Sequence, residues 1–382
     1  MFPGLDFTQH IGQIGAAKGG HIMSNKKYKV AVVGGAGTWG HQYVKEYVER
    51  SDCEVIAIVD RAKDRREGFA DLYNIEKTFD SVAELLAYDV PDIVSAIVPV
   101  GQNHDIVIAC AEAGVKAISC EKPISAQLAE ADRMVNVCRE HGAVFACGQG
   151  ASAASHTPEI IEWVREGKIG QITDVAIPCG IPREVSGGGC IQLSAMRMLT
   201  GMDTEWVEGW SLPPLANFEQ PDRAEVEVDS PAYGRLGLSG GIVCNIPKPD
   251  ESNSTWVTLI GEKGSIWLTH HRPVLIKGSG AMSSPVFPEF LEEPWGGLFV
   301  ERIEQIIRAT ETGNEVLSSG DDFRHALEIA IAIKLSANNG HERVTLPLED
   351  RSLRLYPHPY RLLGGDVAGW QSIGYAGPPE VI

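Results

Sequence analysis

The chain has 382 residues, 43% of them hydrophobic and 22% charged, which is typical of globular proteins and long enough for two or three domains. Its formal net charge of −18 argues against nucleic acid or anionic membranes as partners, because a phosphate backbone requires a cationic surface. No apolar run approaches the ~20 residues that cross a bilayer, and we predict a cytoplasmic protein. The eight cysteines lack the spacing of a zinc site, so we predict no metal site.

The first half of the chain has the pattern of a parallel sheet. Residues 1–26 lack the apolar core of a signal peptide and are expected to form an extension outside the fold. From Tyr28, β-branched runs alternate with amphipathic segments of helix length, as strands connected by crossover helices require. Five runs predict strands, at 29–34, 54–60, 92–98, 115–120 and 143–148. The pattern therefore predicts a doubly wound parallel sheet in a domain at 27–148.

The second half of the chain has a different pattern of predicted elements, because its strand-like runs follow one another without intervening helices. The strands are predicted at 234–239, 240–246, 255–261, 264–270 and 344–348, and the helices at 158–166, 298–311 and 321–337. We predict an α+β domain at 149–350 with a large, mostly antiparallel, open sheet. An uncovered sheet face needs a partner, which favours a homodimer or homotetramer. His270-His271 is expected to be a strand-end pair, because adjacent strand residues point to opposite faces.

The tail at 351–382 is unusually aromatic for a chain end. Tyr356, Tyr360 and Trp370 stand among proline and glycine residues, which favours an ordered arm over a disordered terminus. Three packing surfaces are open to it: the cleft, a subunit interface, or its own domain.

The strongest motif is Gly35-Ala36-Gly37-Thr38-Trp39-Gly40, which follows the first strand and opens a helix near Thr38. Glycines at Gly35, Gly37 and Gly40 allow a tight turn, close approach of a pyrophosphate, and close packing of helix on strand. The N–H groups and the positive dipole end of the helix then face the phosphates. This is a Rossmann fingerprint, and it predicts a nicotinamide dinucleotide cofactor.

A carboxylate at the end of the second strand supports that prediction. Asp60 lies 20 residues after Gly40, where it can accept hydrogen bonds from the adenosine ribose and repel a 2′-phosphate, so NAD is favoured. Arg61 beside it can pair with a phosphate or stack on adenine. NADP therefore stays open.

A third motif, Glu121-Lys122-Pro123, lies between the strand at 115–120 and a helix. With Gly35–Gly40, Asp60 and the loop Pro99–His104, it resembles the glucose-fructose oxidoreductase / inositol dehydrogenase / MocA family. Weaker similarities follow in the family's order at 166–172, 261–266, 318–337 and 344–348, so the resemblance covers nearly the whole chain.

The resemblance implies an oxidoreductase that acts on a sugar, cyclitol or related polyol. It adds Pro99, His104, Glu121 and Lys122 to the cofactor site, and it places Lys122 at the nicotinamide and at a substrate hydroxyl. An ammonium there stabilises the alkoxide character that develops as hydride leaves carbon.

The chain departs from the family pattern where a histidine and an aspartate are usual. Ungapped matching of Gly189–Gly201 puts Ile191 at the histidine and Ser194 at the aspartate, and neither is a proton acceptor near neutral pH. Either Lys122 acts as the base after desolvation, or His156 or Gln192, through water, replaces the missing group.

Three functions remain open on the sequence. The first is NAD-dependent oxidation of a sugar or polyol. The second retains NAD for transient oxidation during elimination, epimerisation or glycoside cleavage, without net redox change. The third is a cofactor-binding protein without turnover, which the residues Ile191 and Ser194 favour.

Overall fold

The computed structural model describes residues 27–150, 154–214, 227–250, 252–269, 272–373 and 375–382. The predicted N-terminal extension at 1–26 and the pair His270-His271 lie outside the described residues.

The first sheet has six parallel strands in the order β3-β2-β1-β4-β5-β6. Its strands are β1 (Tyr28–Val33), β2 (Cys53–Val59), β3 (Thr78–Phe79), β4 (Ile93–Ala96), β5 (Ala117–Cys120) and β6 (Val144–Cys147). The connecting helices are α1 (Thr38–Glu49), α2 (Lys63–Tyr73), α3 (Val82–Tyr88), α4 (Asn103–Glu112) and α5 (Leu128–Glu140). The strand order reverses between β1 and β4, and ligands bind at such a switch point beyond the carboxyl ends of the strands.

This architecture confirms the predicted doubly wound parallel sheet. The expectation of five strands was wrong by one, because β3 has only two residues and leaves no apolar run in the sequence.

The second sheet has nine strands in the order β15-β14-β13-β12-β7-β11-β10-β8-β16. Its strands are β7 (Ile172–Ala176), β8 (Thr204–Ser211), β10 (Ala232–Leu238), β11 (Val243–Ile246), β12 (Thr255–Gly261), β13 (Gly264–Thr269), β14 (Val274–Lys277), β15 (Ser284–Val286) and β16 (Val344–Thr345). Only β7 and β11 pair in parallel within this sheet, so the predicted, mostly antiparallel arrangement is confirmed.

Helices cover one face of the second sheet. The helices of this part of the chain are α6 (Thr157–Arg165), α7 (Cys190–Thr200), α8 (Leu298–Thr312) and α9 (Gly320–Asn338). α7 and α9 pack on the second sheet, whereas α8 packs against α1, β5 and β6 of the first sheet. α9 lies so close to β8 that a Cβ on Gly209 would come within 2.7 Å of the backbone of Ile333. The opposite face carries Ile260, Trp267 and Val274, each at least 40% exposed. The sheet is therefore open on one side.

The tail is ordered where the structure describes it. β17 (Leu355–Tyr356) pairs in parallel with β9 (Glu227–Val228), and the short helices α10 (Pro359–Leu363) and α11 (Gly365–Ala368) follow. Among all described residues, no helix is both long enough and apolar enough to span a membrane.

A buried histidine joins the second sheet to α9 and makes stability depend on pH. The N–H group of Thr204 donates to Nε2 of His325 (3.0 Å), and the residue is 7% exposed. Burial, with help from the charge of Arg197, lowers the pKa of His325 to about 4, so the ring is neutral in the folded protein.

We predict that His325 lowers the free energy of unfolding when the pH is lowered. Below pH 6.5 the unfolded chain binds a proton at this residue that the folded chain does not, so the free energy of unfolding falls as pH falls. Relative to His325→Gln, which retains an acceptor but does not titrate, the wild type should lose about 1.4 kcal/mol between pH 7.5 and pH 5.5. Urea unfolding at both pH values measures this, and a constant difference between the proteins would contradict the assignment.

Candidate active site

The glycine-rich turn is built by close contacts between backbone segments. A Cβ on Gly40 would lie 2.0 Å from the carbonyl oxygen of Gly34, so α1 packs directly on the end of β1. Gly34 has a φ of +79°, and a Cβ there would lie 2.1 Å from the carbonyl oxygen of Ile97. Sequence reasoning did not single out Gly34, although the Gly34-Gly35 doublet is a visible signal.

The turn fits a dinucleotide phosphate. α1 begins at Thr38, and the N–H groups of a helix's first turn have no partner within the helix, so they face any anion placed there. The hydroxyl oxygen of Thr38 is buried without a hydrogen-bond partner in the described structure, as expected for a donor to a bound phosphate.

Asp60 lies beside this turn and holds it in place. Its carboxylate accepts hydrogen bonds from the N–H groups of Ala36 (3.0 Å) and Ala62 (2.8 Å). Each carboxylate oxygen retains a lone pair, so Asp60 can still accept from a ribose hydroxyl. Arg61 follows it and is exposed to solvent.

The turn Glu121–Ile124, which we call the lysine turn because it carries Lys122, follows β5 at the same carboxyl edge of the first sheet as the glycine-rich turn. The buried side chain of Asn103 donates from Nδ2 to the carbonyl oxygens of Glu121 (2.8 Å), Pro123 (3.1 Å) and Ile124 (3.3 Å). The carboxylate of Glu121 accepts from Nε2 of Gln149 (2.6 Å). The backbone around Lys122, which includes a cis bond to Pro123, is therefore fixed on both sides.

The charge state of Lys122 is set by its surroundings. Burial, and next the positive charge of Arg361, lower the pKa of Lys122, while Glu121 and Glu184 oppose the shift. Burial also raises the pKa of Glu121. A lysine with a lowered pKa in a cleft is a candidate proton acceptor.

The first residues of α7 lie next to Lys122. Cys190 is 1% exposed, and burial raises the pKa of its thiol to about 12, so it stays protonated and is a poor nucleophile. Ser194 is fully buried and its hydroxyl donates to the carbonyl of Ile191 (3.1 Å). In the orientation that satisfies both ends of the Gln192 amide, its nitrogen donates to the carbonyls of Gly188 (3.1 Å) and Gly189 (3.2 Å).

Three other residues that the sequence predicted for the site lie outside the group formed by Lys122 and the start of α7. His156 stands just before α6 in a left-handed conformation (φ 58°), and its ring is 6.1 Å from that of Phe290. His104 lies in the first turn of α4 and pairs with Asp105 (2.9 Å). Pro99 precedes the 3₁₀ turn Val100–Gln102 at the carboxyl edge of β4.

The C-terminal arm, predicted at 351–382, contacts this cleft at several of its described residues. A Cβ on Gly364 would lie 3.0 Å from the ring of Pro99, and Asp366 pairs with Arg65 of α2 (2.6 Å). Farther along, the hydroxyl of Tyr375 accepts from Nε1 of Trp39 (2.9 Å). The arm thus contacts elements on both sides of the expected dinucleotide position.

Together the turn, the carboxylate and the lysine define a dinucleotide-dependent oxidoreductase. Two family models match the chain: an oxidoreductase-family NAD-binding Rossmann fold at 28–149, and an oxidoreductase-family C-terminal α/β domain at 188–346. The chain therefore belongs to the Gfo/Idh/MocA family of oxidoreductases, as its sequence motifs predicted.

Individual relatives are distant but match over most of their length. Myo-inositol 2-dehydrogenase from Thermotoga maritima is 24% identical over 339 residues, which covers 84% of this chain and 99% of that protein. Inositol 2-dehydrogenase from Rhizobium meliloti is 25% identical, covering 78% and 93%. The WlbA dehydrogenase from Bordetella pertussis, solved with NADH and UDP-GlcNAcA, superposes with a TM-score of 0.68 at 18% identity, covering 86% of this chain and 100% of that one.

We predict that Asn103 is indispensable for the lysine turn. Asn103→Asp replaces the donor nitrogen with an oxygen that faces three carbonyl oxygens, and it should lower the free energy of unfolding by about 1–3 kcal/mol. Asn136→Asp makes the same change at an exposed position of α5 and should stay within about 0.5 kcal/mol. Urea unfolding compares them, and equal stabilities would rule out this role.

Proposed function

We propose that the protein oxidises a hydroxyl group of a sugar, cyclitol or related polyol with NAD, and that Lys122 takes the hydroxyl proton. The observation that carries this proposal is the position of Lys122, half-buried at the sheet edge near the glycine-rich turn with a lowered pKa. The named relatives that act on inositol support the substrate class.

The chemistry separates into a hydride and a proton. NAD, with its pyrophosphate held by the turn at Gly35–Gly40, would accept the hydride from the carbon that bears the hydroxyl group. The neutral amine of Lys122 would remove the proton from the substrate oxygen as the carbonyl forms, and so become an ammonium ion. The ammonium then donates to the same oxygen and stabilises its alkoxide character until the hydride has left the carbon and the carbonyl is complete.

Lys122 is preferred over the other candidate bases. The amide of Gln192 does not take up a proton near neutral pH, and the ring of His156 lies beside that of Phe290. Ser194 and Ile191 provide no titratable group. For the cofactor, Asp60 at the turn favours NAD, while the exposed Arg61 leaves NADP as the less favoured choice.

The substrate class is tested by absorbance at 340 nm with NAD and a panel of cyclitols, aldoses and sugar alcohols. The proposal expects NADH formation with at least one member of the panel. Product formation without a change at 340 nm would instead establish redox-neutral chemistry, and no product with any member would favour a protein without turnover.

We predict that Lys122 controls the pH dependence of oxidation. The rate should rise with pH as Lys122 loses its proton, and level off above a midpoint that lies below 10.5, the ordinary lysine pKa. Lys122→Met should lower kcat by about 10²–10⁴-fold. Lys122→Arg retains the positive charge but cannot release its proton, so it should be similarly impaired. Activity of Lys122→Arg near the wild-type level would exclude the amine as the base.

A second function is favoured by the C-terminal arm. Because the arm contacts Trp39, Arg65 and Pro99 around the dinucleotide position, it would hinder release of a bound cofactor. An enzyme that keeps its NAD suits transient oxidation, in which the hydride returns to the substrate during elimination, epimerisation or glycoside cleavage.

We predict that loosening the arm speeds NADH release. The double variant Tyr375→Phe with Asp366→Asn removes two contacts between arm and cleft, and a loss of about 1.4 kcal/mol corresponds to a roughly tenfold faster dissociation. The matched control is Tyr88→Phe with Asp89→Asn, at the opposite edge of the same sheet. Stopped-flow fluorescence of NADH measures both, and equal rates would show that the arm does not hold the cofactor.

The open face of the second sheet supports self-association. Ile260, Trp267 and Val274 are exposed there, and an apolar sheet face of this kind is buried in an oligomer. We therefore propose a homodimer or homotetramer.

A further inference from the structure

Arg361 is a buried cation that the C-terminal arm contributes. It lies on α10, its side chain is 9% exposed, and its partner Glu184 is 2% exposed. Nε and Nη2 of Arg361 donate to the two carboxylate oxygens of Glu184, at 3.0 Å and 3.4 Å. A buried arginine held by both carboxylate oxygens has a fixed position.

The neighbouring backbone leaves space for this side chain. Glu184 is followed by the π-helical turn Val185–Gly189, and a Cβ on Gly187 would lie only 2.5 Å from Nε of Arg361. Any side chain larger than hydrogen at Gly187 would therefore displace the guanidinium.

A buried aspartate ties the turn to the start of the arm. The carboxylate of Asp229 accepts from the N–H groups of Val185 (2.9 Å) and Ser186 (2.9 Å) and from the Ser186 hydroxyl (2.6 Å). The N–H group of Asp229 donates to the carbonyl of Tyr356 (2.9 Å), five residues before Arg361. The turn and the arm are thus fixed relative to each other.

Four charged or titratable groups act on Lys122 from the elements packed around it. These are Glu121 in its own turn, Glu184 before the π-helical turn, Cys190 in α7, and Arg361 on the arm. Of the three that carry a charge, Arg361 lowers the pKa of Lys122 and the two glutamates raise it, while the thiol of Cys190 is neutral. Although burial opposes it, the charge of Glu184 holds the pKa of Arg361 above its usual range, so the guanidinium stays positive.

We propose that the arm completes the active site by supplying a positioning residue, Arg361, which Glu184 holds over Gly187 and which acts on Lys122 through its charge. This inference rests on the proposed role of Lys122 as the base. A permanent positive charge beside the amine favours its neutral, proton-accepting form. A lysine, together with an arginine that is far away in the sequence, thereby provides the proton acceptor that the histidine and aspartate of the family pattern would provide.

Competitive labelling with acetic anhydride tests the proposal without a substrate, because only the neutral amine reacts. Peptide mass spectrometry follows the labelling of Lys122 in the full-length protein from pH 7 to pH 11. In Arg361→Gln the labelling at pH 8 should fall roughly tenfold, the effect of losing one nearby like charge. Arg361→Lys retains the charge and should stay near the wild type. Unchanged labelling in a folded Arg361→Gln would overturn the proposal.

A double variant separates Arg361 from its partner. Removing Arg361 alone leaves Glu184 buried and unpaired, and that charge would also favour the protonated lysine. In Arg361→Gln with Glu184→Gln no unpaired carboxylate remains, and labelling should still fall below the wild type, because the guanidinium that disfavours the ammonium form of Lys122 is absent. A return to the wild-type level would assign the effect to Glu184 and overturn the proposal.

Activity gives a separate readout once the panel yields a substrate. The pH profile of kcat should move to higher pH in Arg361→Gln and not in Arg361→Lys. Labelling that changes as expected in a protein that oxidises no panel member would refute the substrate proposal and support the role of Arg361. Unchanged labelling in an active enzyme would do the reverse.

Discussion

The buried amide of Asn103 is the contact on which the proposed site depends. It opens α4, just beyond β4, and reaches the carbonyls of the turn that follows β5. The reversal of strand order between β1 and β4 brings the glycine-rich turn to the same edge, where Gly34 lies against the carbonyl of Ile97. The loops that follow three neighbouring strands, β1, β4 and β5, are therefore held together by one buried side-chain amide and one close backbone contact, which place a lysine near the dinucleotide turn.

The charges around Lys122 explain how the site can work without the histidine and aspartate that the family pattern suggested. Ile191 and Ser194 leave α7 with no base, and Cys190 is held as a neutral thiol. The remaining charges are two cations and two carboxylates, contributed by both halves of the chain and by the arm. Arg361 and Glu184 are buried as an ion pair, since an unpaired buried charge is strongly unfavourable. Burial lowers the pKa of Lys122 and raises that of Glu121, which favours the neutral form of each.

Sequence patterns predicted the site residues whose positions depend on a short stretch of chain. Gly35–Gly40, Asp60 and Lys122 each sit at a strand exit, where a short motif and its spacing determine the position. They could not find Arg361, because its partner Glu184 lies 177 residues away, and only the tertiary fold brings them together. Asn103 lay inside the predicted loop Pro99–His104, but its partners belong to the next strand exit.

The second sheet shows the same limit. β8 pairs with β10 and β16 but was not predicted, because Glu208 and Gly209 interrupt its apolar pattern. Tertiary contacts explain both residues in β8. Gly209 lets α9 approach the strand, and the carboxylate of Glu208 pairs with Arg235 and with Arg343 (2.6 Å). Local propensity cannot reveal a glycine or a carboxylate that distant residues require.

A crystal structure of the full-length protein with NADH tests the proposed site most directly. We expect the pyrophosphate against the turn at Gly35–Gly40, Nζ of Lys122 about 3 Å from the position of a hydroxyl that faces the nicotinamide, and Arg361 still paired with Glu184. A nicotinamide bound away from Lys122, or an arm displaced from the cleft by the cofactor, would contradict it.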